Sequence, residues 1–181
     1  MVAGMTEPKA NDPLRQGETA IPLPDRADAH LVFIGRIRTP FATRLECPRQ
    51  GKHDGPICRV EVDAPWHAAL AGLQRYGHVE VLYWMHRARR DLITQSPKAN
   101  GLTTGTFSLR SPLRPNPIAT AVCVLVGIEP GALLVRGLDC LDGTPLLDIK
   151  PHRGEFTPAA VERESERPPK DNPWCAKSGE C

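Results

Sequence analysis

The chain has 181 residues, enough for one domain with a hydrophobic core, and its 23 basic and 21 acidic side chains leave a net charge of +2 that selects no partner by itself. Aromatic residues make up 5%, which argues against a sheet lined with base-stacking rings, and no apolar run approaches membrane-spanning length. Met1–Ala20 is polar and lacks the apolar core of a signal peptide, so the expected compartment is the cytoplasm, with no membrane partner.

Residues 1–29 show no apolar period and hold several prolines, and they read as a mobile arm. The folded domain is expected over 30–152, followed by a polar, Pro-rich tail over 153–181. Leu31–Arg38 reads as a first strand, ended by Thr39-Pro40. Phe41–Lys52 is aperiodic and contains Cys47-Pro-Arg-Gln-Gly51, a Pro-stiffened loop. Ile57–Val62 alternates as a half-buried strand. Asp63-Ala64-Pro65 opens a short helix in which Trp66, Ala69, Leu70 and Leu73 share one face, with Trp66 as a core anchor. His78–His86 is the next strand, with Val79, Val81, Tyr83 and Met85 on one face. His86 stands at its end before Arg87, Arg89 and Arg90, the last two read as solvated. Asp91–Leu102 is polar and reads as a loop.

Thr104–Ile118 begins as a short extended run with Thr106, Phe107 and Leu109, then passes Pro112, Pro115 and Pro117. Proline fixes its own backbone angle and holds the preceding residue extended, so Ser111, Arg114 and Asn116 sit on a stiff loop together with Arg110. Such a loop suits gripping a polar ligand, because little ordering entropy remains to be lost on binding; a connector with solvated arginines fits the residues equally well. Ile118–Ile128 is a long strand apolar on both faces, hence central. Glu129-Pro130-Gly131 turns it into Ala132–Leu138, and Asp139–Pro145 is a turn leading to a last strand, Leu146–Lys150.

The fold class that follows is mainly β, a small antiparallel barrel with one or two short helices and disordered or extended termini. None of the six cysteines forms a Cys-x-x-Cys pair, so no metal site is expected. Cys58 and Cys123 read as buried apolar residues, and Cys175 and Cys181 as tail cysteines able to pair opportunistically. No glycine-rich dinucleotide or Walker loop is present.

Four loops at strand ends carry polar chemistry: Pro48-Arg49-Gln50, Met85-His86-Arg87, Arg110–Asn116 and Asp139–Pro145. Together they offer arginines for a carboxylate or phosphate, amides for a base edge and carboxylates for a cation. Asp139, Asp142 and His86 could build an acid–base site, although Asp142 before Gly143 reads more simply as a turn residue.

Phe33-Ile-Gly-Arg-Ile-Arg-Thr-Pro-Phe41, Pro48-Arg-Gln50, Gly72-Leu73 with His78 and Trp84, Gly105-Thr-Phe107, Arg110-Ser111, Arg114-Pro-Asn-Pro-Ile118, Leu138-Asp139, Asp142-Gly-Thr-Pro145 and Asp148-Ile-Lys-Pro151 together resemble the TsaA-like (TrmO, VirR) proteins, in that family's order. The resemblance implies a dimeric barrel that binds S-adenosylmethionine and methylates the exocyclic amine of a threonylcarbamoyl-adenosine beside the tRNA anticodon. It also implies that Gln50, Gly51, Met85, His86, Arg110, Thr120, Gly137, Leu138 and Asp139 meet the cofactor, with Arg114 and Asn116 close by. Arg49, Arg87 and Arg114 are the candidates for substrate binding, and Asn116 and Asp139 for the group that accepts the N–H of the methylated amine. A non-catalytic cofactor-sensing or RNA-binding barrel and a small-molecule methyltransferase are the alternatives.

Overall fold

The computed structural model describes residues 13–25 and 28–153. Its strands are β1 (Thr19–Ala20), β2 (Gly35–Arg38), β3 (Cys58–Val62), β4 (His78–Trp84), β5 (Leu92–Gln95), β6 (Thr104–Gly105), β7 (Ile118–Glu129), β8 (Ala132–Arg136) and β9 (Thr144–Pro151). Six of them close a barrel in the order β2-β3-β8-β7-β4-β9, and every neighbouring pair is antiparallel. The remaining three form a small side sheet, β1-β5-β6. The antiparallel barrel expected from the sequence is therefore present.

Alternation builds its interior. Val60 on β3 and Val79 and Val81 on β4 are fully buried while their sequence neighbours are more exposed, and β8 adds the fully buried Ala132, Leu133 and Val135. Each such valine or leucine contributes about 1.5–3 kcal/mol relative to leaving it in water. Cys58 and Cys123 sit in the same core, and burial raises both thiols, Cys123 to about 12. Cys175, Cys181 and the tail expectation lie outside the described residues.

Several elements depart from the sequence reading. The first strand starts at Gly35 rather than Leu31, and Leu31 and Val32 are more than half exposed. The ladder ends there because Ile34 already makes its last bonds, to Leu146 O and from Asp63 N, and β3 turns away at Asp63. The helix is a 3₁₀ segment, Ala64–Leu70, followed by a second over Leu73–Arg75. A three-residue period aligns 67, 70 and 73 instead of 66, 70 and 73. Leu70 and Leu73 are accordingly buried, the His67 ring reaches Val62 O at 2.9 Å, and Trp66 is 43% exposed rather than a core anchor.

Asp91–Leu102, expected as a loop, contains β5. Its buried positions are Leu92 and Gln95, and a polar residue at one of the two hides the pattern from hydropathy. Thr104–Leu109 is a two-residue strand and a 3₁₀ turn over Thr106–Ser108 rather than one extended run. Within the stretch read as an arm, β1 pairs with β5, and Arg15 Nη1 donates to Ser96 O at 3.1 Å. β7 is paired on both sides, as every strand of a closed barrel is, but it is not covered on both faces as its composition suggested: on its outer face Ile118 and Val126 are 43% and 45% exposed. Among the described residues no helix is long and apolar enough to cross a membrane.

Candidate functional site

The barrel's chemistry gathers where β4 ends. A cavity of about 370 Å³ opens there, within the range of about 300–1,000 Å³ typical of small-molecule sites. Its walls come from Ala42–Arg44 and Cys47, from Met85–Arg89, from Pro112 and Leu113, and from Asp139, Leu141 and Thr144. Four separate loops thus meet at one place.

Each wall is held by identifiable bonds. The Ala42–Glu46 loop curls around its own carboxylate: Ala42 N and Thr43 N donate to Glu46 Oε2 at 2.7 and 2.8 Å, which lowers the Glu46 pKa. Asp139 is held from inside the barrel, where the buried Tyr83 hydroxyl donates to its Oδ1 at 2.6 Å. Burial and then the Asp139 charge push the Tyr83 phenol well above its ordinary value, so it stays a donor. Asp139 itself lines the cavity.

The proline loop is braced rather than merely stiff. Gln95 Nε2 donates to Leu113 O at 2.6 Å, Arg90 Nε to Pro115 O at 2.6 Å, and Met85 N to Pro117 O at 2.9 Å. Arg114 folds back on its own loop, donating to Ser111 O at 2.9 Å and to Leu109 O. Arg89 and Arg90, read as solvated, are structural. Arg89 forks onto Asp91 at 2.7 and 2.8 Å, and Arg90 lies 5.3 Å over the Trp84 ring.

The electrostatics are those of a basic rim around one acid. Burial, reinforced by the Arg87 charge and more weakly by Arg36, lowers the His86 pKa, against an opposing bond to Trp84 O. The shift favours the neutral imidazole of His86 over the charged one. Burial and the nearby Asp139 carboxylate raise the Cys47 thiol, which makes it a poor nucleophile at neutral pH.

Of the residues nominated from the sequence, Met85, His86, Arg87 and Asp139 line this cavity together. Arg49, Gln50 and Gly51 follow Cys47 on its loop but are not in the wall, and Arg49 and Gln50 are exposed. Gly51 packs on Gly137 so closely that a Cβ there would lie 1.8 Å from Gly137 O, and Gly137 itself has φ +116°. Leu138 places its side chain in the core. Arg110 and Asn116 are exposed on the proline loop, and Arg114 is its internal brace. Thr120 lies on the outer face of β7, donating to Glu80 Oε1 at 2.7 Å. Asp142 is a turn residue whose Oδ1 accepts from Thr39 N at 3.2 Å.

Tyr83, Cys47 and Gln95 were not nominated. A tyrosine closing an otherwise aliphatic inner face was the available signal for the first, because a buried phenol needs an acceptor. A larger cavity, about 610 Å³, lies elsewhere between the 3₁₀ segments and β9, lined by Trp66, Leu70, Tyr76 and Ile149 among others. It collects none of the nominated residues.

A family model described as tRNA-methyltransferase O N-terminal domain matches residues 36–157. The chain belongs to this family. Among the relatives of the TrmO N-terminal family, the probable S-adenosyl-L-methionine-binding protein VirR of Rhizobium radiobacter is 49% identical over 152 residues, covering 84% of this chain and 87% of VirR. The human tRNA (adenine(37)-N6)-methyltransferase is 41% identical over 132 residues, 68% of this chain but 30% of the human protein. A crystal structure of TrmO from Pseudomonas aeruginosa superposes with a TM-score of 0.62 at 34% identity, over 76% of this chain and 62% of that one. The chain thus spans about three fifths of the solved TrmO chain and under a third of the human enzyme.

Proposed function

We propose that this protein is an S-adenosylmethionine-dependent methyltransferase acting on the N6 amine of an adenosine in tRNA, with the threonylcarbamoyl-modified base beside the anticodon as the acceptor. The observation that carries the reading is the meeting of Met85, His86, Arg87 and Asp139 around one cavity in a chain of the TrmO N-terminal family.

The donor set fits the cofactor. Arg87 offers a guanidinium for a carboxylate, Asp139 a carboxylate for a cation, and Met85, Leu113 and Leu141 apolar surface for a purine face. When bound, S-adenosylmethionine supplies a methyl group already activated by its sulfonium, so the protein needs neither a metal nor a covalent nucleophile. What remains is alignment, exclusion of water and removal of one proton. The transfer would break the cofactor's S–CH₃ bond, form the N–CH₃ bond and release the amine hydrogen as a proton. Asp139 Oδ2 can accept that hydrogen, while Tyr83 holds the other oxygen still. A neutral His86 adds no positive charge to a cavity that must take up a cation.

The protein acts as a homodimer in the cytoplasm on this reading. The exposed apolar side chains of β7 support a second copy as the cover for that face, and Thr120 lies within it. The test is incubation of the purified chain with methyl-labelled cofactor and tRNA lacking the modification. Label in the tRNA is expected. Cofactor binding without transfer to any tRNA would replace this reading with a cofactor-sensing barrel.

A further inference from the structure

We propose that the Phe107 ring is a stacking platform for an unpaired nucleobase next to the target, so that the protein grips single-stranded RNA at the mouth of the cavity. The proposal rests on the tRNA reading above and adds the residue that would hold the RNA.

Phe107 is 83% exposed. One exposed apolar side chain is ordinary on a protein surface. What distinguishes this one is its footing. The residue before it, Thr106, is buried; its Oγ1 donates to Leu92 O at 2.9 Å and accepts from Gln95 Nε2 at 3.1 Å. Leu109 N closes the turn onto Thr106 O at 3.2 Å. The backbone that carries the ring is therefore fixed before any ligand arrives, and little entropy is left to lose on stacking.

The same footing ties the ring to the cavity. Gln95, 3% exposed, donates through one amide nitrogen both to Thr106 and to Leu113 O, and Leu113 lines the cavity. A single buried side chain thus sets the position of Phe107 relative to a wall of the cavity.

The surrounding charge fits a polyanion. Arg110, three residues on, and Arg87 at the cavity are exposed and make no ion pair among the described residues. The carboxylate of Asp91 is engaged by Arg89. Single-stranded RNA is held by bases stacked on aromatic rings and phosphates laid against arginines, and the exposed Phe107, with Arg110 three residues on, offers both kinds of group. A second copy of this chain would need the apolar patch but not the free arginines, which is why we assign the surface to RNA.

The experiment uses the full chain saturated with S-adenosylmethionine and an anticodon stem-loop RNA with 2-aminopurine immediately 3′ of the target adenosine. Binding and stacking are read by fluorescence, cofactor affinity by calorimetry, and mass by sedimentation. Phe107→Ala and Phe107→Leu are expected to weaken RNA binding on the order of ten-fold and to lose the fluorescence quenching, while Phe107→Trp keeps both. Cofactor affinity, mass and melting temperature should not change. Wild-type RNA affinity in Phe107→Ala, or a loss of RNA that follows a change in mass or in cofactor affinity, overturns the assignment. If the wild type methylates RNA and Phe107→Ala matches it, stacking alone falls. If the wild type binds no RNA, the tRNA reading falls with it.

Discussion

Tyr83 ends the row of inward-facing side chains on β4, and its hydroxyl carries the barrel core to the edge of the cavity by donating to Asp139. A hydrogen bond to a charged group contributes about 1.5–3 kcal/mol. Tyr83→Phe should therefore lower unfolding free energy by about 1–3 kcal/mol in a denaturant titration. It should also weaken cofactor binding, because Asp139 is freed to turn. An unchanged denaturation midpoint would show that the bond contributes nothing in solution. His86 gives a pH signature. Its folded pKa lies below the ordinary value of 6.5, with burial the largest cause. Above that value both folded and unfolded chains hold a neutral imidazole, and the stability contribution is complete. As pH falls below it, the unfolded chain takes up the proton first, so stability declines until the folded group also titrates. His86→Asn should remove this part of the decline in ΔG measured from about pH 7 to 5; a profile identical to the wild type would contradict the burial argument.

The loops that form the site depend on close backbone contacts. Gly51 meets Gly137, His53 Nε2 lies 3.0 Å from Val122 O, and Arg136 donates to Gly55 O. Together these clamp the Cys47–Gly55 loop to β7 and to the end of β8. Gly51→Ala puts a methyl into Gly137 O, and overpacking of this kind costs about 1–3 kcal/mol. A lower melting temperature and a displaced loop are expected, and a wild-type melting temperature would show that the contact relaxes freely. Little of this clamp was legible in the sequence. The prolines of Ser111–Pro117 announced a stiff segment, because proline acts on the residue that carries it and on the one before. The bonds that fix that segment in space come from Gln95 and Arg90, distant in sequence and individually unremarkable. Trp66 was misplaced for a related reason: the apolar spacing of 66, 70 and 73 fits a 3.6-residue period, whereas Ala64–Leu70 folds with three residues per turn.

At the scale of the whole molecule, the barrel was readable because alternation in β3 and β4 is local information. Which outer face stays bare was not, since the outward and inward side chains of β7 are equally apolar. That bare face leads to a prediction of assembly: the protein should sediment at twice the 19.9 kDa chain mass, and Val126→Asp should shift it toward the monomer. A monomeric wild type would remove the dimer from the account. The convergence of four loops on one cofactor is tested most directly by calorimetric titration of S-adenosylmethionine into the wild type, Asp139→Ala and Trp66→Ala, the last altering the larger, separate cavity. The account predicts saturable binding by the wild type, affinity at least about ten-fold weaker in Asp139→Ala for the loss of a charged contact, and no change in Trp66→Ala. Loss of binding in Trp66→Ala with Asp139→Ala unaffected would place the cofactor in the other cavity and contradict it.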